Sequence, residues 1–299
     1  MNVIKIFGGV GNQLFQYALY RKLRENGSCY LDLGWFDNKQ REYWYPYQIN
    51  DLNLEADIIL REDYIVKEYY SENHRISEDI FSNHIIQNGR NNVPIINLVS
   101  GNNPYDYKDY ENVDNSYIIG YFQNIEYLKG IIKDIKKEVK FPKTEDMRFF
   151  KIKNNILNQN SVSVHIRFND YAGIEDFEEV CPMEYYVKAI EYMKKHVVNP
   201  QFYIFSNKIE EAKEKLPVLG EYTFVDIYDR SYGLGDMELI SLCKHNIISN
   251  STFSWWATVL NKNENKIVIA PNKWDIRPVA LKCQGEINLW FDDWVRIEP

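Results

Sequence analysis

Several signals that would make this chain easy to classify are missing. Its four cysteines (Cys29, Cys181, Cys243, Cys283) are scattered, with no CxxC pair and no metal-ligand spacing. That excludes a disulfide framework and a zinc module, and reduced thiols in a cytoplasmic setting are the simplest expectation. No GxxxxGK[ST] loop is present, and no acidic D-x-D pair follows a strand to hold a metal–diphosphate. No apolar run approaches the roughly 20 residues of a membrane helix. Residues 1–13, "MNVIKIFGGVGNQ", lack the basic, apolar and cleavage regions of a secretory leader. Net charge is −8, so there is no overall basic field to draw nucleic acid. Any phosphate must be bound by a few local groups.

What is present suits a globular enzyme. The 299 residues are enough for two ordinary domains, and 45% apolar content supports real cores. Tyrosine is abundant, with 23 copies. Its apolar face and hydroxyl suit sugar-binding surfaces, although a coding bias toward Tyr, Asn, Ile and Lys accounts for it equally well.

The chain opens as strand, glycine turn, helix, strand. "NVIKIF" reads as a buried strand and "GGVGN" as the turn. "QLFQYALYRKLREN" places Leu14, Phe15, Ala18, Leu19 and Leu23 at helical period, and Gly27 stops it. "CYLDL" is the next strand. Residues 36–115 have poor periodicity and recurrent Asn, Gly and Pro, which predicts short helices and loops carrying a variable recognition surface. "SYIIGYF" reads as a strand and "NIEYLKGIIKDIKKEVKF" as one helix. Pro142 and "KTED" point to a boundary within 142–158. Beyond it, strands alternate cleanly with helices up to "KIVIAP", the pattern of a parallel sheet with helices on both faces. The expected architecture is α/β: two open parallel-sheet domains facing one another, residues 1–150 and 151–299, with the irregular insert in the first.

In such sheets ligands lie beyond the carboxyl ends of the strands, and candidate chemistry sits there. In "SVSVHIRFND", His165 can donate or accept, Arg167 offers a permanently charged fork, and Asp170 can orient or take a proton. Glu175 and Asp176 follow. The bland alternative is a surface ion pair and a satisfied structural histidine. In "SNSTFSWWATVL", Asn250, Ser251, Thr252 and Ser254 crowd a helix start, where hydroxyls and N–H groups can cradle an anion without metal. An ordinary serine cap is the competing explanation. Asp236 reads as a helix N-cap or as a carboxylate that accepts from a base edge. "FGGVGNQ" offers Gly9, Gly11, Asn12 and Gln13 in a strand–helix turn. However, Leu14 stands where a dinucleotide fingerprint needs its third glycine, and Asp32 alone mimics the ribose-binding acid.

Together, "GGVGNQLFQYA", "GYFQNIEYL", "HIRFNDY" and "DMELISLCKHNIISNSTFSWWATVLN" resemble glycosyltransferase family 11, the α-1,2-fucosyltransferases. The resemblance spans nearly the whole chain except 36–115. It implies a GT-B-like fold, GDP-β-L-fucose as donor, inversion at the anomeric carbon and no required metal or cofactor. It implies that Arg167 binds the donor diphosphate, that Ser251, Thr252, Phe253 and Ser254 hold phosphates, and that His165 lies against the nucleotide. By the same resemblance Asp236 reads guanine, Gly9, Gly11, Asn12 and Gln13 belong to the donor-binding set, and the N-terminal domain contributes acceptor contacts and part of the cleft around them. Either Asp170 or Glu175 is the base; Glu175, ten residues past His165, resembles the proposed base of core α-1,6-fucosyltransferases. The implied acceptor is a terminal β-galactoside in a surface polysaccharide or a free oligosaccharide. The family motif, H-x-R-R-x-D-Y, usually has a second arginine where this chain has Phe168, so another GDP-sugar is the main alternative donor. A nicotinamide oxidoreductase and a non-catalytic nucleotide- or glycan-binding protein are the alternatives of other classes.

Overall fold

The computed structural model describes residues 1–37, 45–60, 113–168, 180–227, 233–275 and 287–298, and the backbone alone of 65–67 and 95–100. Two compact units result, Met1–Asn50 with Leu54–Ile132, and Asp51–Asn53 with Lys133–Pro299. Each holds a six-stranded sheet, and every strand pairing in both sheets is parallel.

In the first unit the strands are β1 (Asn2–Lys5), β2 (Cys29–Asp32), β3 (Ile58–Ile59), β4 (Ile65–Lys67), β5 (Ile95–Ser100) and β6 (Ser116–Ile119), in the order β3-β2-β1-β6-β5-β4. Helix α1 (Val10–Asn26) covers the sheet, burying Leu14, Phe15, Ala18, Leu19 and Leu23, the stripe read from the sequence. The loops-and-helices reading of 36–115 is corrected here, because β3, β4 and β5 lie within it. Strands of two, three and six residues are too short for an alternating period to stand out from the surrounding Asn, Gly and Pro. The rest of that insert lies outside the described residues.

The second unit carries α2 (Ile132–Glu138), α3 (Met147–Asn158), β7 (Ser161–Ile166), α4 (Met183–His196), β8 (Gln201–Ser206), α5 (Ile209–Lys215), β9 (Tyr222–Phe224), α6 (Leu234–Leu242), β10 (His245–Ile247), α7 (Thr252–Leu260), β11 (Val268–Pro271) and β12 (Val295–Ile297). Its sheet runs β12-β11-β10-β7-β8-β9. Two expectations change. The single helix over 124–141 is a 3-10 turn, Ile125–Leu128, then α2, because Lys129 is extended and Gly130 takes φ +89 between them. The boundary expected in 142–158 is instead helix α3. Asp146 caps it by accepting from Arg148 N, so "KTED" announces a helix start. Lys153 of α3 pairs with Glu238 of α6 at 2.5 Å, which anchors α3 to the second unit and puts the division ahead of residue 150.

A buried amide network locks the second sheet to its helices. Asn246 Nδ2 donates to Ser163 Oγ at 2.8 Å and to the Ile240 carbonyl at 2.9 Å. Its Oδ1 accepts from Asn261 Nδ2, which also donates to the Cys243 carbonyl. One fully buried side chain thus ties β10 to β7, to the end of α6 and to the residue that closes α7. Replacing it with an apolar isostere would leave these partners buried without hydrogen bonds. Asn246→Leu is expected to lower stability by about 3 kcal/mol, read as a shift in the urea midpoint. An unchanged midpoint would show the network to be dispensable.

Candidate active site

The second sheet is parallel, so β7, β8 and β10 all end on the same edge, and the polar segments read from the sequence follow those ends. His165 is the penultimate residue of β7 and is buried. Its Nδ1 lies 2.9 Å from Ser249 Oγ, beyond the end of β10. Its ring lies 5.4 Å from that of Phe253, tilted 37°. Burial first, and then the Arg167 guanidinium, push the imidazole down to about 3. His165 is therefore a neutral hydrogen-bonding group at working pH.

Arg167 follows β7 directly and is partly exposed. Phe168, next to it, turns into the core and is 2% exposed, packed with the cluster that includes Ile166, Tyr186 and Ile204. Lys215 Nζ lies 5.4 Å over its ring. Asn207, just past β8, clamps Phe168 by accepting from its N–H and donating to its carbonyl, both at 2.9 Å. The clamp fixes the backbone from which Arg167 projects. Sequence reading did not identify Asn207, although a lone Asn after a strand end was visible.

Helix α7 starts at the same edge. Ser251 is its N-cap and accepts from Phe253 N at 3.3 Å, so the ordinary cap reading holds for that hydroxyl. Ser254 is fully buried and donates to the Ser251 carbonyl. Its side chain ties the helix start together, and an anion would meet backbone there instead. Thr252 and Phe253 are partly exposed. Asn250 donates to the Trp274 carbonyl at 3.2 Å and receives the Cys181 thiol at 3.7 Å. Beneath the loop, fully buried Tyr185 of α4 donates to the Ile248 carbonyl at 2.6 Å. Nothing in the sequence separates that tyrosine from its apolar neighbours.

Asp236 is not the N-cap. Gly233, at φ +89, caps α6, and Asp236 sits in its first turn, partly exposed, where a carboxylate suits the helix dipole. A Cβ at Gly233 would stand 3.3 Å from the Phe253 ring. Glycine therefore lets the start of α6 approach Phe253, and that ring meets His165 as well as Gly233. Asp170 and Glu175 lie outside the described residues.

The glycine segment belongs to the first unit. Helix α1 begins at Val10 with Gly9 as N-cap, so Gly11, Asn12 and Gln13 form its first turn, and the loop ends at Gly9. Gln13 is fully buried, donating to the Gly8 and Pro46 carbonyls and accepting from Gln48 N. Its amide is occupied as a clamp between loops. Gln16, which sequence reading passed over, does the same for Phe7 N and the Gly120 carbonyl. Asn12 accepts from Gln123 Nε2 at 3.0 Å. Asp32 is buried, accepting from Gly34 N and from the Tyr117 hydroxyl, so both oxygens of the supposed ribose-binding acid are engaged inside the unit.

Comparisons with known proteins agree with the resemblance. The model of the family described as Glycosyl transferase family 11 matches residues 1–298. The O-antigen biosynthesis glycosyltransferase WbnK of Escherichia coli is 29% identical, over 97% of this chain and 98% of that protein. The alpha-1,2-colitosyltransferase of Escherichia coli is 29% identical, over 99% of this chain and 98% of that protein. Among solved structures, the fucosyltransferase NodZ from Bradyrhizobium superposes with a TM-score of 0.51 at 12% identity, over 87% of this chain and 92% of that one. That likeness is one of fold, and it agrees with the GT-B-like α/β class.

The buried imidazole has a pH signature. Its folded value, about 3, lies below the ordinary 6.5, so between those limits the unfolded chain holds the extra proton. Stability therefore rises with pH through this window, and the contribution is lost as pH falls below 6.5 toward 3. His165→Gln is expected to flatten the stability–pH profile between pH 4 and 6 by about 1.4 kcal/mol per pH unit, one proton's worth. Urea unfolding at a series of pH values reads this. Parallel profiles would mean that the imidazole is already charged in the fold.

Proposed function

We propose, from the premise that this chain belongs to glycosyltransferase family 11, that it moves L-fucose from GDP-β-L-fucose to the 2-hydroxyl of a terminal β-galactoside, with inversion. The observation that carries the reading is the convergence of Arg167, neutral His165 and the Ser251–Phe253 helix start at one sheet edge. The O-antigen name of the WbnK relative supports surface-glycan synthesis as the setting.

In this mechanism the acceptor hydroxyl attacks the sugar's anomeric carbon while the bond to the diphosphate breaks on the opposite face. The hydroxyl proton passes to a carboxylate, Asp170 or Glu175, and GDP leaves with the bonding pair. Negative charge grows on the diphosphate. Arg167 and the N–H groups opening α7 stabilise it, together with the positive end of the helix dipole. His165 and Phe253 form the partly apolar wall against which the nucleotide lies. Asp236, in the first turn of α6, accepts from the guanine edge. No metal is required, because charge neutralisation falls to Arg167 and the helix start.

A different GDP-sugar is the second reading. It is favoured by the colitosyltransferase relative, whose name specifies another donor sugar. An oxidoreductase reading loses its main support, since the Asp32 carboxylate is held by Gly34 and Tyr117.

Arg167→Ala is expected to lower turnover by about 10²–10³ and to weaken GDP binding, measured by initial rates and calorimetry. Of Asp170→Asn and Glu175→Gln, one should abolish transfer while GDP affinity stays near wild type. Full activity in Arg167→Ala would remove the diphosphate assignment. Slow hydrolysis of GDP-fucose, compared with other GDP-sugars in the absence of acceptor, decides the donor.

A further inference from the structure

Helix α3 is apolar on two faces, and one of them is left open. Phe149 and Ile156 turn into the core and are buried. Met147, Phe150 and Leu157 turn outward, 76%, 47% and 51% exposed. At 3.6 residues per turn these three fall within about 80° of the helix circumference, along about 15 Å of its axis. The patch continues past the end of the helix. Asn160 Nδ2 donates to the Val198 carbonyl at 2.6 Å, which brings in the turn carrying Val198, itself 82% exposed. Among the described residues of the second unit, Val218 is the one other large apolar side chain so exposed. A single such residue needs no explanation, but a row of them marks an interaction surface.

The rim of this patch is basic. Residues 143–158 carry four cations against two acids, in a chain whose net charge is −8. Within α3 itself there are Arg148, Lys151 and Lys153 and no acidic residue. Asp146 engages Arg148 at 2.6 Å and Glu238 engages Lys153, whereas Lys151 stands exposed next to Phe150. At the other end, exposed Lys195 lies in the last turn of α4, three residues before Val198. Glu145 and Glu191 are the exposed acids of these segments.

We infer that this face docks on an anionic lipid surface. Met147, Phe150, Leu157 and Val198 enter the headgroup region, and Lys151 and Lys195 meet lipid phosphates. Among the described residues no helix is long and apolar enough to cross a membrane, so α3 lies along the surface. The acidic remainder of the chain is repelled by such a surface, which selects this face for the contact. A second copy of this chain fits less well. A two-fold contact would set Lys151 and Arg148 of one copy against the same cations of the other. Leu157 and Val198 lie just before β7 and β8 begin, while the candidate site lies where those strands end. Six residues of strand, about 20 Å, separate the two edges, so docking keeps the site edge clear of lipid. Nothing in this contact depends on which reaction the site performs.

The test is co-sedimentation of the full chain with vesicles of phosphatidylcholine and phosphatidylglycerol in equal parts, at low salt. Saturable binding is expected, and about tenfold weaker binding to vesicles of phosphatidylcholine alone. Phe150→Ser combined with Leu157→Ser should weaken binding to the mixed vesicles about tenfold. Lys151→Gln combined with Lys195→Gln should weaken it about 25-fold, about fivefold for each charge. Both variants replace exposed side chains, so their urea midpoints should match that of the parent chain. If the serine variant unfolds, the lysine variant reads the same contact. No saturable binding to the mixed vesicles, or binding that neither variant weakens, would overturn the docking surface. So would a lipid-free dimer, seen by sedimentation velocity, that the serine variant dissociates.

Discussion

One constraint governs the second unit: all its strands run parallel, so every strand end delivers its loop to the same edge. The register shows the consequence. Ile247 of β10 stands beside Val164 of β7, so Ser249 arrives next to His165, and the two side chains meet at 2.9 Å from 84 residues apart in sequence. The same edge receives Asn207 from β8 and Trp274 from the segment after β11. Among the described residues, each of these side chains comes directly from a strand end or the turn that follows it. Buried groups beneath the edge, Tyr185 on the Ile248 carbonyl and Asn246 on α6 and α7, keep these ends at fixed height. The positions of Arg167 and Ser251 thus follow from sheet topology and buried hydrogen bonds together.

On the proposed reading, the edge receives one concentrated negative charge. A charged histidine beside Arg167 would be repelled and desolvated, and the fold keeps His165 neutral by burying it. The imidazole then serves as a hydrogen-bonding spacer between β7 and Ser249, and its other face meets Phe253. Phe253 in turn contacts the position where Gly233 opens α6, so one aromatic ring coordinates a strand end and two helix starts. This arrangement places positive character on Arg167 and on helix dipoles. Neither depends on protonation near neutral pH.

The sequence showed most of this unit because alternating strands and helices, each of ordinary length, have strong periodicity. It also identified the segments that converge, since HIRFND and SNSTFS each put polar residues where an apolar strand stops. It could not show how individual side chains divide their work. Ser254 and Gln13 look as available as Thr252 until burial turns both inward. Asp236 looks like a cap until Gly233 takes that place with a positive φ. The first unit was less legible: β3, β4 and β5 are short parallel strands whose apolar runs carry no period, set among Asn, Gly and Pro. Clamps such as Asn207 and Gln16 leave no signature, because their importance lies in backbone groups far away in the chain.

Position 168 shows why the direction of a side chain matters as much as its identity. By the family resemblance, Phe168 stands where a second arginine is usual, which suggests a cation missing from the site. The backbone argues otherwise. Arg167 and Phe168 are successive residues at a strand end, so their side chains leave on opposite sides, one partly exposed and one 2% exposed. Asn207 holds both backbone groups of Phe168, so the peptide cannot turn without breaking two hydrogen bonds. A guanidinium attached here would have to leave through the layer where Lys215 now covers the ring. Phenylalanine therefore fills core volume beneath Arg167 and braces the strand end. With 168 committed to packing, Arg167 is the cation among the described residues that follow β7, and on the proposed reading the helix start at Ser251 supplies the rest of the charge.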